Sequence, residues 1–357
     1  MSQMAGPWGQ QVTNQIAGAL IQQVLGQGRR NTPSTTAPGQ GTPPKKKSFL
    51  RTIIFWAIVF FVVIPVITSL LNSFNEQLGS TGYSMPSGPQ TPYTPAPPGA
   101  YVPRPADLNP DEPPMPRTDN DLRFALLENP LYAQTITPID CHMTDVDLVK
   151  GSPAAIEAHM NEFMECLMTT WHEPVTAANF SLPRPSVTVY TYEINTRCGQ
   201  VPMYNAVYCS ADQQVYYAKN LIEAFPPQLR QSRYVAESVI AHEFGHAIQY
   251  RTMILMSQSA LANSASTNAE AMDTSRRLEM QADCFAGLYL HSISDSTGLT
   301  VKDRENIEAM FASLGGNSPY KDDHGMGTNR AAWAKKGLNN WSPGVCNTFT
   351  ASEESVG

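Results

Sequence analysis

The sequence predicts an α+β protein: a mainly helical domain with one small antiparallel sheet, preceded by one transmembrane helix and a proline-rich linker. Three observations predict this class. Apolar residues recur at intervals of three and four in several long segments after residue 150, as in amphipathic helices. Only short segments between residues 187 and 219 alternate and are rich in β-branched and aromatic residues, as strands are. One early segment is long, apolar and uncharged.

The composition fits a chain that is partly apolar and partly extended. Of its 357 residues, 42% are hydrophobic, only 15% are charged and 29 are prolines, which is unusual for a protein that is soluble throughout. The net charge of −7 provides no basic surface for a nucleic-acid backbone. We therefore expect no nucleic-acid partner.

The uncharged segment at residues 52–71 (TIIFWAIVFFVVIPVITSLL) has the length that a helix needs to cross a bilayer. A cleaved signal peptide is the alternative, but its apolar core is shorter and begins close to the N-terminus, whereas 51 residues precede this segment. Three lysines at positions 45–47 and Arg51 precede it, and the next basic residue is Arg104. Because cytoplasmic flanks are enriched in Lys and Arg, we expect a single-pass cell-membrane protein with a cytoplasmic N-terminus and an extracytoplasmic domain.

Composition divides the chain into four parts. Residues 1–48, rich in Gln, Gly, Thr and Pro, are expected to be a disordered cytoplasmic tail, although apolar residues spaced four apart at positions 12–24 leave a short partner-binding helix open. Residues 49–72 form the transmembrane helix. Residues 73–117 are an extracytoplasmic linker whose prolines favour a semi-rigid extended spacer. Residues 118–357 form the globular domain.

Within this domain, Ser152 and Pro153 are a favourable cap and first turn for a helix. Its buried face is predicted to hold Ile156, Met160, Phe163, Leu167 and Trp171. Residues 187–194 (VTVYTYEI) predict one strand, and residues 206–209 and 214–219 predict a strand pair. Three more helices are predicted at residues 233–256, 267–293 and 301–314.

The helix predicted at residues 233–256 contains the sequence His-Glu-x-x-His. His242 and His246 lie four residues apart, so both imidazoles project from one helix face and can reach a common zinc ion. Glu243 follows the first histidine, where its carboxylate can contact a metal-bound water without binding the metal. The alternative is two core histidines beside an exposed glutamate.

The next predicted helix supplies candidates to complete such a site. A catalytic zinc needs a third protein ligand, and Glu279 is the candidate. Asp283, one turn later, is placed to accept the second ring N–H of a ligating histidine. The alternative is a solvated face that both acids share with Arg276 and Arg277. Gly245 is costly inside a helix, which indicates that another element packs tightly against it.

Taken together, these residues resemble the neutral zinc metallopeptidase family of bacteria, which is membrane-anchored with an extracytoplasmic catalytic domain. The matching stretches, in order, are Cys198-Gly199, residues 207–212 (VYCSAD), His242 to His246 with Gln249, residues 279–287 (EMQADCFAG), His324-Gly325 with Arg330 and Trp333, and residues 346–349 (CNTF). The resemblance implies a zincin-like fold, zinc ligands at His242, His246 and Glu279, and Glu243 as catalytic base.

The chain departs from the family pattern at two places. Ala247 stands where the family usually has a second histidine, and the family's Gly-Thr-Ser after the late histidine is Gly325-Met326-Gly327 here. Neither departure removes a ligand, but the second leaves the role of His324 open.

The ligand set predicts hydrolysis of peptide bonds by a metal-activated water, with Glu243 as general base. His324 is the candidate donor to the oxyanion, and the alternative is a surface histidine beside two acids. Three strand tyrosines, Tyr208, Tyr216 and Tyr217, are weaker candidates. The strand at residues 214–219 is a hypothetical edge for pairing with an extended substrate.

All six cysteines follow the predicted span, as expected if disulfides form outside the cell. Fifteen pairings are possible. Cys198 with Cys209 would close the strand connection, the family resemblance favours Cys284 with Cys346, and Cys141 with Cys166 then remains.

The leading hypothesis is a membrane-anchored zinc peptidase that acts on peptide or protein substrates in the cell envelope. The alternative is a non-catalytic, metal-binding envelope protein that docks partners. An amidase or carboxypeptidase acting on cell-wall peptides would share the metal site.

Overall fold

The computed structural model describes residues 105–316 and 324–357, which are mainly helical with a small sheet. The helices in these ranges are α1 (Asp119–Leu127), α2 (Pro153–Ala177), α3 (Val235–Arg251), α4 (Ile254–Ser264), α5 (Asn268–Ser292), α6 (Ser294–Thr297), α7 (Val301–Leu314), α8 (Gly327–Leu338) and α9 (Glu353–Val356). The strands are β1 (Val187–Tyr190), β2 (Ile194–Thr196), β3 (Gly199–Val201), β4 (Ala206–Cys209) and β5 (Gln214–Ala218).

Helix α2 forms as its sequence predicts. The Ser152 side chain caps it by accepting a hydrogen bond from the Ala155 N–H, and Pro153 occupies the first turn. The five apolar residues assigned to its inner face, from Ile156 to Trp171, are all buried. Helices α5 and α7 also match their predicted ranges, and a threonine caps each of them.

The three-stranded sheet has the order β1-β5-β4. Strand β4 pairs with β5 in the antiparallel direction as predicted, but β1 pairs with β5 in parallel, so the expected purely antiparallel sheet is in fact mixed. Because β5 is the central strand, the hypothesis that residues 214–219 form a free edge for substrate is wrong. Strands β1 and β4 are the edge strands of this sheet.

The predicted strand at residues 187–194 is too long. Strand β1 ends at Tyr190, whose partner Ala218 is the last residue of β5, so no pairing partner is left for the residues beyond it. Residues 194–201 form a separate antiparallel hairpin, β2–β3.

The predicted helix at residues 233–256 is two helices. Helix α3 ends at Arg251, and Met253 then adopts the left-handed conformation, with φ of 69°, before α4 begins. The Asn129 side chain donates a hydrogen bond to the Thr252 carbonyl at 2.9 Å, so this carbonyl is satisfied outside the helix. No Gly or Pro marks the break, which is why periodicity predicts one continuous helix.

Helix α8 packs against α5 at very short range through a glycine on each helix. A Cβ added at Gly287 would lie 2.2 Å from the Ala334 carbonyl oxygen, and one added at Gly337 would lie 2.1 Å from the Cys284 carbonyl oxygen. Only glycine permits such backbone contact. The contact brings the first turn of α8 beside the middle of α5.

The disulfides are the three pairs expected from the sequence: Cys141–Cys166, Cys198–Cys209 and Cys284–Cys346. The last pair attaches the C-terminal segment to α5.

The predicted tail at residues 1–48 and the predicted transmembrane helix at 49–72 lie outside the described residues. Within residues 105–316 and 324–357, no helix is both long and apolar enough to cross a membrane. Part of the predicted linker at residues 73–117 is described, and it contacts the domain: the Arg251 guanidinium donates a hydrogen bond to the Asp111 carbonyl, and the Tyr250 hydroxyl donates one to Glu112.

Candidate metal centre

Three side chains from α3 and α5 converge on one point. The Nε2 atoms of His242 and His246, one turn apart on α3, are 3.1 Å from each other. The two carboxylate oxygens of Glu279 on α5 lie 3.3 Å from His242 Nε2 and 3.4 Å from His246 Nε2. All three side chains are buried. In the described part of the chain, they form the one cluster of His, Cys and acidic residues with metal-ligand spacing.

These distances fit a zinc ion. Zinc holds nitrogen and oxygen donors about 2.0–2.1 Å away in a tetrahedron, so neighbouring donors are separated by about 3.3 Å. The observed separations of 3.1 to 3.4 Å agree. Two imidazoles and one carboxylate are also the donor types found at catalytic zinc sites with an open fourth position.

Gly245 allows α3 and α5 to approach closely enough for this convergence. A Cβ added there would lie 3.0 Å from the Cα of Ala282, which stands between Glu279 and Asp283. This is the tight packing that the sequence predicted at Gly245. Any bulk at this crossing would push Glu279 away from the two histidines.

Asp283 orients His242. His242 Nδ1 donates a hydrogen bond to Asp283 Oδ1 at 2.7 Å, which leaves Nε2 to face the cluster. Asp283 is fully buried and receives two hydrogen bonds from the Arg330 guanidinium, both of 2.8 Å. Burial alone would raise the pKa of Asp283, but the charges of Arg330 and His242 lower it.

The charge of Asp283 also affects His242 itself. Burial alone would lower the pKa of His242, but the charge and hydrogen bond of Asp283, with a contribution from Glu279, raise this pKa to about 10. In the metal-free protein His242 is therefore protonated at neutral pH, and a metal ion must displace that proton.

Glu279 stays ionised for a similar reason. Burial alone would raise its pKa, but three histidines, His324, His246 and His242, hold it well below the usual range. His324 Nδ1 lies 3.0 Å from Glu279 Oε2. The structure therefore places His324, expected as an oxyanion donor, in direct contact with a candidate ligand.

Glu243 stands apart from the three donors. Its Oε2 accepts a hydrogen bond of 2.7 Å from the Tyr208 N–H of edge strand β4, and the side chain is buried. The carboxylate is thus anchored between α3 and β4, on the residue that follows His242, and is not one of the clustered donors.

The sequence identified every donor of the cluster and its carboxylate neighbour Asp283. It missed the roles of Arg330, Gln249 and Gln281. Arg330 begins a pattern of buried residues at intervals of three and four on α8, with Trp333, Ala334, Gly337 and Leu338, and this pattern would have predicted the helix. The same pattern does not predict the contact between Arg330 and Asp283, because the two residues are 47 positions apart in the sequence.

The sequence of this chain is similar to a known protein family and to proteins of bacteria. The model of a family described as "Putative neutral zinc metallopeptidase" matches residues 141–349, more than half of the chain. The Escherichia coli (strain K12) protein named "Uncharacterized protein YpfJ" is 30% identical over 195 residues, covering 51% of this chain and 68% of the relative. "Uncharacterized protein Rv2575" of Mycobacterium tuberculosis (strain H37Rv) is 26% identical over 223 residues, covering 55% and 74%. No solved structure matches the chain.

Proposed function

This chain belongs to the neutral zinc metallopeptidase family, and from that membership we propose that it is a zinc-dependent peptidase with Glu243 as general base. The convergence of His242, His246 and Glu279 at zinc-ligand spacing, with a separate anchored carboxylate beside it, is the observation that carries the proposal. A purely structural zinc site would have no need of that fourth group.

Each residue has a distinct part in the proposed reaction. His242, His246 and Glu279 hold the metal, which when bound lowers the pKa of water and polarises a carbonyl. Glu243 accepts the proton of the attacking water and passes it to the leaving amine. The Tyr208 N–H restrains this carboxylate at one oxygen, so that the other oxygen is available for the proton.

Strand β4 is the proposed binding edge for substrate. One of its edges is paired with β5, and the other bears the Tyr208 N–H that faces Glu243. An extended peptide that added to this edge would run past the general base. His324 contacts Glu279 and, within this proposal, either orients that ligand or donates to the oxyanion.

The location proposed for this activity is the outer face of the cell membrane. The uncharged segment at residues 52–71 with its preceding basic residues supports a single-pass anchor, and the six cysteines, all paired, support an oxidising compartment. Peptides or proteins of the cell envelope would then be the substrates, without a nucleic-acid partner.

The substitution Glu243→Gln tests the proposal in the full chain. Glutamine retains an oxygen for the Tyr208 N–H but cannot take a proton. We expect an unchanged zinc content, measured by mass spectrometry of the metal, and at least a hundredfold loss of cleavage of a peptide library. Glu223→Gln, an exposed change of the same kind, is the matched control and should alter neither.

The outcomes separate the alternatives. A peptidase is supported by two results together. A chelator abolishes cleavage by the wild type, and Glu243→Gln abolishes cleavage without loss of zinc. If the wild type binds zinc but cleaves nothing, and Glu243→Gln leaves the biological activity intact, the protein is a non-catalytic metal-binding protein. The fragments from the library distinguish cleavage inside a chain from removal of terminal residues.

A further inference from the structure

The two histidines of the cluster are oriented by different chemistry. His242 is oriented by the ionised Asp283 and Arg330, whereas His246 Nδ1 lies 2.8 Å from the side-chain oxygen of Gln249, a neutral amide. Gln249 is fully buried and lies on α3, three residues after His246. A neutral amide can present either its oxygen or its nitrogen, so its direction must be determined by something else.

The Leu278 carbonyl and a second buried glutamine, Gln281, determine that direction. The Gln249 amide nitrogen donates to the Leu278 carbonyl at 2.8 Å and to the Gln281 side-chain oxygen at 3.1 Å. Because a backbone carbonyl can only accept, the nitrogen of Gln249 must point toward α5 and its oxygen toward His246.

Gln281, also fully buried, is directed in the same way. Its amide nitrogen donates to the Cys346 carbonyl at 3.1 Å and to the Tyr132 hydroxyl at 2.9 Å. Its oxygen therefore faces Gln249. The Cys346 carbonyl is itself held against α5, since Cys346 forms a disulfide with Cys284 one turn beyond Gln281.

We propose that Gln249 and Gln281 form an amide relay, running from the Cys346 carbonyl to His246, which holds His246 in the tautomer with the proton on Nδ1. The His246 Nε2 lone pair then faces the cluster. Gln249 and Gln281 are positioning residues, because they contact no donor atom of the cluster. The inference rests on the proposed function only in that a metal binds at this cluster.

Zinc affinity, measured by competition with a chromophoric chelator, tests the relay without any assay of hydrolysis. Gln249→Leu removes the acceptor for His246 Nδ1 and should weaken zinc binding by about 10–100-fold. Gln249→Glu restores an acceptor for His246 Nδ1 but loses the donor to Leu278 and Gln281, so it should recover only part of that loss. Gln281→Leu should weaken binding by a smaller factor, because the Leu278 carbonyl still holds Gln249. Because the relay acts in series, the double variant should be no worse than Gln249→Leu alone.

Two controls separate positioning from general destabilisation. Gln258→Leu, on α4, also removes buried amide hydrogen bonds, to Thr274 and Ser275, but should leave zinc affinity within twofold. Nitrogen-15 spectra of histidine-labelled, metal-free protein at a pH where His246 is neutral report its tautomer directly. The wild type and Gln249→Glu should show the proton on Nδ1, whereas Gln249→Leu should show a mixture.

Wild-type zinc affinity in Gln249→Leu would overturn the relay, and so would a proton on Nε2 of His246 in the wild type. If Gln249→Leu does not fold, the wild-type and Gln249→Glu spectra still decide the question. The two proposals can fail separately. If the tests support the relay but the protein hydrolyses no peptide, the peptidase proposal is refuted and the relay is retained.

Discussion

Replacing Arg330 with methionine removes one of the two cations, the other being protonated His242, that compensate the buried Asp283 carboxylate. Arg330 donates two hydrogen bonds of 2.8 Å to Asp283, and both side chains are almost completely buried. Breaking such a pair by removing one partner costs about 3–5 kcal/mol, because Asp283 is left in the core with a single hydrogen bond, from His242. We therefore expect Arg330→Met to raise the unfolding equilibrium constant of the metal-free protein by about 10²–10⁴-fold.

A double variant distinguishes this cause from lost packing. In Asp283→Leu/Arg330→Met both charges are gone, and an apolar pair of similar volume is often as stable as the ion pair it replaces. We expect this variant to regain most of the lost stability. His242 has then lost its acceptor, so zinc affinity should stay about 10–100-fold below that of the wild type.

Urea denaturation of metal-free protein measures the stability, and chelator competition measures the zinc affinity. Lys335→Met, on the same helix, breaks an exposed pair with Glu308 and should cost at most about 1 kcal/mol. A loss of less than about 1 kcal/mol in Arg330→Met would refute the argument from buried charge. Wild-type zinc affinity in the double variant would refute the role of Asp283 in orienting His242.

Three further predictions concern the same framework. Replacing Cys284 and Cys346 by serine opens a link between residues 62 apart, and urea denaturation should show a loss of about 4 kcal/mol; a loss below about 1 kcal/mol would contradict it. Gly287→Ala would place a Cβ 2.2 Å from the Ala334 carbonyl oxygen. We expect the free energy of unfolding to fall by about 1–3 kcal/mol, because this clash outweighs the gain in helix propensity. A rise in the free energy of unfolding would show that α8 can move away from α5. His242 has a pKa of about 10 in the folded metal-free protein, above its unfolded value of about 6.5, so its stabilising contribution is complete below pH 6.5 and is lost as the pH rises toward 10. Zinc takes the place of that proton, so saturating zinc should abolish this loss of stability with rising pH. Urea denaturation at pH 6 to 9, with and without zinc, measures it. An equal loss with zinc bound would argue against proton displacement.

Local spacing made much of the site predictable. Two histidines four residues apart must share a face of any helix that contains them, and Glu279 and Asp283 have the same relation on the next helix. The burial of α2 and the caps of α5 and α7 follow from the same local rules. The close packing at Gly245 was also predictable. A glycine weakens a helix, so its presence there indicates that another element packs closely, although the sequence does not say which element.

The remaining features depend on residues that are far apart in the chain. By itself the sequence determined helices α2, α5 and α7, the four groups of the candidate site and the chemistry that these groups permit, because those properties depend on spacing within one element. Only the tertiary structure decided that α3 ends at Arg251, that β5 lies inside the sheet, that Arg330 bonds to Asp283 and that Gln281 bonds to Gln249. Each of these depends on contacts between separate elements, whose approach is determined by packing of the whole domain.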